Sequence, residues 1–246
     1  MNRYDGRAED ELRPVELKPG YLKRPAGSVL ISCGDTRVLC AASVEEKVPS
    51  FLQGSGEGWI TGEYAMIPAA TDTRSQREST RGRQSGRTLE IQRLIGRALR
   101  STVDRRVLGE RTIWVDCEVL QADGGTRTAS ITGGFVALAL ALKKLHEDRL
   151  LRAPVLTGML AAISVGIVEG RPVLDLDYVE DSAADVDMNI ARTDKGLYVE
   201  VQGTAEANPF RREHLDAMLQ LADVGIDRLH LEQREVLGPI LDDLIK

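Results

Sequence analysis

A chain of 246 residues with 42% hydrophobic content can bury a sizeable core, and at 4% aromatic residues that core is aliphatic. So few rings exclude single-strand binding on a broad aromatic platform, and three cysteines without Cys-x-x-Cys spacing exclude a disulfide framework, as expected of reduced residues in a cytoplasmic protein. The net charge of −6 hides a segregation: Arg74 to Arg111 holds eleven arginines against four acids and no lysine, whereas Glu169 to Asp187 holds seven acids against one arginine.

The first twenty residues mix charges of both signs without an apolar leader, and the longest apolar run, around Phe135 to Leu142, is too short to span a bilayer, so no membrane partner is expected. Ser28 to Cys33 and Thr36 to Val44 read as strands joined at Gly34-Asp35, a hairpin signal. After a glycine-rich loop, Gln53 to Gly58, a third strand runs from Thr61 to Ile67. From Thr71 to Gly86 the composition is Arg, Ser, Thr, Gln and Gly without apolar periodicity, which predicts an exposed loop carrying Arg74 and Arg77. A helix follows, with Ile91, Leu94, Ile95, Ala98 and Leu99 on one face and Arg87 at or just before its N-terminus.

Ile113, Val115, Cys117 and Val119 alternate with more polar neighbours, the period of a strand. Phe135, Leu138, Leu142 and Leu145 recur at helical spacing, so a helix starts between Thr128 and Thr132. Joining the two is Gly124-Gly125-Thr126-Arg127-Thr128. Glycines let the backbone approach a ligand closely, the first helical N–H groups lack intrahelical partners, and the helix dipole favours negative charge. Arg127 adds a planar donor fork that suits phosphate. Any one of these residues alone reads as a turn or a helix cap; together they read as an anion seat. No lysine follows a G-x-x-x-x-G spacing and G-x-G-x-x-G is absent here, so a phosphate or phosphodiester fits better than a mononucleotide.

Strands recur over Thr157 to Val168, Pro172 to Leu176 and Gly196 to Gln202, and a helical region begins after Asn208-Pro209 and continues in pieces to Lys246. This order indicates a layered α/β or α+β fold without a linker. In the acidic stretch, a turn at Ser182-Ala183-Ala184 would bring Asp181 and Asp187 face to face, and hard carboxylate oxygens held so suit Mg²⁺ or Mn²⁺. Acid count alone would favour a solvated loop; the nearby demand for an anion clamp and a cation at one atom favours a site. The three histidines, His146, His214 and His230, fall in helical segments without metal-ligand spacing, which leaves zinc chemistry and a Ser/His/Asp triad without a frame.

The segments RAEDELRPV (Arg7 to Val15), SVLISCGDTRVLCAASVEE (Ser28 to Glu46), GEGWITGEYAMIPAATDTRSQRE (Gly56 to Glu78), SGRTLEIQRLIGRALR (Ser85 to Arg100), QADGGTRTASITGG (from Gln121) and DLDYVEDSAADVDMN (Asp175 to Asn189) resemble the bacterial ribonuclease PH family over essentially the whole chain. The resemblance implies an α+β fold of two related β-α units, with helices packed on mixed sheets, as a single domain over residues 1–246. It implies a phosphate-dependent 3′→5′ exoribonuclease and tRNA nucleotidyltransferase acting on tRNA 3′ ends, and a homohexamer built as a trimer of dimers. By motif, Arg87, Gly125, Thr126 and Arg127 would hold inorganic phosphate as co-substrate, with Arg127 also catalytic. Asp181 and Asp187 would hold Mg²⁺ and support catalysis, and Arg74 and Arg77 would contact RNA or help order the ring.

One departure stands out: where the family commonly reads P-R-A-T, this chain has Pro68-Ala69-Ala70-Thr71. Losing that cation should weaken RNA binding without touching the phosphate site. Two rivals remain at this level, a non-catalytic ring subunit and a hydrolytic metal-dependent nuclease.

Overall fold

The computed structural model describes residues 3–206 and 208–246. The chain runs through β1 (Val15–Pro19), β2 (Gly27–Cys33), β3 (Thr36–Glu45), β4 (Trp59–Met66), α1 (Glu78–Arg81), α2 (Gly86–Arg100), α3 (Arg105–Leu108), β5 (Thr112–Gln121) and α4 (Thr126–Glu147). It continues through β6 (Leu160–Val168), β7 (Arg171–Leu174), α5 (Tyr178–Ala183), β8 (Val186–Thr193), β9 (Tyr198–Ala205), α6 (Arg212–Leu237) and α7 (Pro239–Leu244). A five-stranded sheet has the order β1-β2-β3-β5-β4 and a four-stranded sheet the order β7-β6-β8-β9. The first is mixed, because β4 runs parallel to β5 through the α2 crossover. The second is antiparallel throughout, so the expectation of mixed sheets holds for one unit only.

Each sheet has its own aliphatic core, and α4 lies where the two meet. It packs on β2, β3 and β5 of the first sheet and on β6 and β8 of the second. Because it is surrounded, its apolar residues do not form a stripe: sixteen of its residues, from Thr126 to Leu145, are buried. Thr126–Glu147 is long and apolar enough to cross a membrane by length and composition, but 83% of its apolar window lies inside the protein, as expected of a core helix. Strand β6, LAAISVGIV, is buried along nearly its whole length between α4 and α6, which is why it reads as a continuous apolar run. Gln233 of α6 ties the units together: its amide donates to the carbonyls of Thr132 (3.1 Å) and Leu160 (2.8 Å), and its oxygen faces Nδ1 of His230 at 3.2 Å.

The hairpin at Gly34-Asp35 is present, closed by β2 ending at Cys33 and β3 starting at Thr36. Cys33, Cys40 and Cys117 are free and buried, and burial pushes the Cys33 thiol up to about 12, so it stays protonated and inert. Several elements depart from the sequence reading. Strand β1 has only Leu17 buried and runs at the sheet edge, so its charged VELKP segment lacks a strand pattern. Helix α4 starts at Thr126, ahead of the expected window, because Gly125 itself takes the N-cap position. The acidic stretch holds a short helix, α5, before strand β8, where a simple turn was expected.

Candidate active site

The anion seat is built from the back outward. Gly124 and Gly125 have φ of 69° and 66°, left-handed values that a side chain resists. A Cβ on Gly124 would lie 2.5 Å from the Leu176 carbonyl oxygen, so the turn rests backbone to backbone on the start of α5. Thr36 fastens it from below: its hydroxyl donates to the Gly124 carbonyl (2.6 Å) and accepts from the Asp123 N–H (2.9 Å). No side chain caps α4, so the amides of its first turn keep their donor capacity for an anion. Thr126 is buried, its hydroxyl 2.8 Å from that of Tyr64.

Arg87 arrives from a second helix N-terminus. Ser85 caps α2 by accepting from the Thr88 N–H at 3.1 Å, and Glu78 accepts from both the Ser85 N–H and the Thr88 hydroxyl, so the loop is pinned where α2 begins. The opposite wall comes from the second sheet. In the β8–β9 ladder, Asp187 faces Thr204 and Asn189 faces Gln202, and period-two alternation turns all four away from buried Met188 and Ile190. These walls enclose a cavity of 430 Å³ lined by Arg87, Glu90, Arg127, Asp187, Asn189 and Gln202, among others.

Arg127 is held in its wall, donating to the Gln202 side-chain oxygen at 3.0 Å and standing 3.6 Å from Glu90. Asp181 completes the group: desolvation and then the neighbouring Asp187 raise its pKa, while Arg87 and Arg127 oppose the rise. The residue as a whole is exposed, but its carboxyl is partly desolvated and within the electrostatic reach of all three. Among the described residues, neither Asp181 nor Asp187 forms an ion pair, and no group of three His, Cys, Asp or Glu side chains could enclose a metal. Two carboxylates in one another's field beside a phosphate site do suit Mg²⁺, which keeps several waters and takes its remaining ligands from substrate phosphates.

The residues singled out in the sequence therefore separate into two groups. Arg87, Arg127 and Asp187 share the cavity, Asp181 stands in their field, and Gly125 and Thr126 form the turn beneath Arg127. Arg77 instead lines a neighbouring cavity of 680 Å³, which also reaches Arg87, while Arg74 is exposed on the loop and lines neither. Glu90, Gln202, Thr204 and Glu206 were not anticipated. Glu90 follows Arg87 by three positions on one helix face, and Gln202 and Thr204 follow the strand period; both spacings were readable, but nothing in the sequence says which strand lies opposite.

Comparison with known proteins adds an independent line. Models of the 3′ exoribonuclease family match domain 1 over residues 11–144 and domain 2 over residues 158–225. Ribonuclease PH of Syntrophomonas wolfei is 56% identical over 238 residues, covering 97% of this chain and all of that protein. Among solved structures, rice Rrp46 superposes with a TM-score of 0.78 at 19% identity, covering 96% of this chain and 100% of that one. The Archaeoglobus fulgidus exosome with RNA bound to the active site gives 0.75 at 22% identity, covering 94% and 92%. Both share the fold.

Proposed function

The chain belongs to the ribonuclease PH family of 3′ exoribonucleases, and we propose on that premise that its phosphorolytic reaction is carried out in the cavity between α2, α4 and the β8–β9 ladder. The protein is a phosphate-dependent 3′→5′ exoribonuclease. Inorganic phosphate attacks the last phosphodiester of an RNA 3′ end; the new phosphorus–oxygen bond forms as the bond to the 3′ oxygen breaks. The products are a nucleoside 5′-diphosphate and an RNA one nucleotide shorter, and the reverse reaction adds nucleotides.

Arg87, Arg127, Thr126 and the amides of the Gly125 turn hold the attacking phosphate, bringing two fixed cations and a helix N-terminus to one anion. Positioning and charge neutralisation supply most of the catalysis in such transfers. Asp181 and Asp187 would hold Mg²⁺, which when bound neutralises charge on the phosphorus oxygens of the scissile linkage. Gln202 and Glu90 orient the Arg127 fork. The substrates are tRNA 3′ ends, gripped through Arg74 and Arg77. The chain works as one domain within a cytoplasmic homohexamer, a trimer of dimers; exposed Leu197, just before edge strand β9, and Tyr198 and Val201 on it support self-association.

The single observation that carries the residue assignments is that Arg87, Arg127 and Asp187 line one cavity with Asp181 beside it. The test is to incubate a 3′-extended tRNA with Mg²⁺, vary phosphate, and identify the released nucleotides with wild type and with Arg127→Ala. Wild type should release diphosphates in proportion to phosphate, and the variant should release none while unfolding like wild type. Monophosphates independent of phosphate would establish hydrolysis instead.

A further inference from the structure

The segment before β1 crosses the second unit and delivers three guanidinium groups into a buried acidic cluster at the end of β7. Arg3 pairs with Glu180, Arg7 reaches Asp177 at 3.3 Å, and Arg13 grips Asp175. The last of these pairs is the most fully committed. The Arg13 backbone N–H (2.8 Å) and Nε (3.0 Å) both donate to one Asp175 oxygen, Nη2 donates to the other at 2.7 Å, and Nη1 donates to the Asp123 carbonyl. Both residues are buried, Arg13 at 5% and Asp175 at 3% exposure.

Asp123 and Asp175 lead into the two halves of the site. Asp123 begins the turn that ends in Thr126-Arg127, and a Cβ on Gly125 would lie 3.1 Å from Arg13 Nη2. Asp175 has φ 55°, a left-handed value for a residue that is not glycine, and this bend turns the chain from β7 into α5. There Asp177 and Glu180 close a reciprocal cap, one turn ahead of Asp181. The two leads are also joined directly, since the Tyr178 N–H donates to the Asp123 carboxylate at 3.2 Å.

We propose that Arg13 and Asp175 are positioning residues: their ion pair fixes the distance between the phosphate turn and the α5 aspartate, and so sets the geometry of the reaction without touching substrate. This rests on the site assignment given above. A buried ion pair is weak evidence for stability alone, because desolvation offsets the attraction, whereas a misplacement of about 1 Å at a reacting centre costs on the order of 100-fold in rate.

The experiment compares wild type, Arg13→Lys, Asp175→Asn and the double variant as full-length protein. It measures kcat, the KM for tRNA, the Mg²⁺ concentration at half-maximal rate, and the unfolding temperature. Asp175→Asn keeps the side chain's shape and is the decisive variant; Met218→Ala, in the core of the second unit, is the control for lost stability. Expected are a fall in kcat of about 10- to 100-fold, a raised Mg²⁺ requirement, a tRNA KM within about twofold of wild type, and a double variant no worse than the poorer single one. Wild-type kcat in folded Asp175→Asn overturns the proposal, as does a loss that Met218→Ala reproduces at an equal drop in unfolding temperature. Asp175→Asn too unstable to assay while Met218→Ala remains active assigns the pair to stability alone and overturns it too. Failure of the underlying site assignment is separately visible, as retained phosphorolysis in Arg127→Ala.

Discussion

Substituting Gly124 by alanine tests whether the phosphate turn is locked against α5 or merely lies near it. Gly20→Ala is its reference: that glycine also has positive φ (65°), but a Cβ there meets nothing within 4 Å, so only the backbone penalty applies, about 1–2 kcal/mol for an L-residue in the left-handed region. At Gly124 the same penalty is joined by a Cβ 2.5 Å from the Leu176 carbonyl oxygen and 2.6 Å from the Asp177 carbonyl carbon. Neither is a flexible side chain that can swing aside. Relieving such overpacking costs typically about 1–3 kcal/mol more, giving roughly 2–5 kcal/mol in total. At about 2–4 °C per kcal/mol for a chain of this size, Gly20→Ala should lower the unfolding temperature by roughly 2–8 °C and Gly124→Ala by roughly 4–20 °C. Calorimetry of both variants side by side removes most of the uncertainty in the common term. Because the turn must move to admit the methyl group, Gly124→Ala should also raise the KM for phosphate, and Gly20→Ala should not. Equal shifts in unfolding temperature, with phosphate KM unchanged, would refute the packing of turn against helix.

Three further outcomes follow from the structure. Asp187→Asn should raise the Mg²⁺ concentration at half-maximal rate and lower kcat, with phosphate KM little changed; an unaltered Mg²⁺ dependence would remove Asp187 from the metal site. If Arg74 and Arg77 each neutralise one RNA phosphate, each alanine variant should reduce the slope of log K against log salt by about 0.7 for single-stranded RNA, leaving phosphate KM intact. Burial holds the His230 imidazole below its usual range, against the opposing pull of Gln233 and Asp194. A depressed folded pKa means the unfolded chain takes up the proton first as pH falls, so this stabilisation is complete above the unfolded value and is lost below it. Wild type should therefore lose unfolding temperature faster than His230→Gln between about pH 7 and 5; parallel curves would contradict it.

Much of this molecule was legible from residue order because its signals are local. The β2–β3 hairpin needed only alternation on either side of Gly34-Asp35, and the turn before α4 needed only glycines, hydroxyls and Arg127 between a strand and a helix. What escaped was set by partners distant in sequence. Strand β1 is a strand because β2 offers it an edge, not because VELKP favours one. Strand β8 does alternate, with Val186, Met188 and Ile190 inward, but its outward Asp187 and Asn189 made the segment look like part of an acidic loop. The same reason hid Glu90 and Gln202: their relevance depends on α2 and β9 closing over one space. The arginines of the N-terminal segment were likewise unreadable, since an ion pair between positions 13 and 175 leaves no mark in spacing.

That pair spans 162 residues, which gives the order of synthesis a consequence. At ribosomal rates of about 5–20 residues per second, position 13 waits roughly 8–30 s for its counter-ion to be made. Toward the end of that interval the nascent polypeptide carries Arg127 and its glycine turn but neither of the acidic groups that would recruit a divalent ion. An enzyme that shortens RNA thus emerges beside a machine made of RNA before either proposed metal-holding carboxylate exists, the later of them being added after about three-quarters of its length has been assembled.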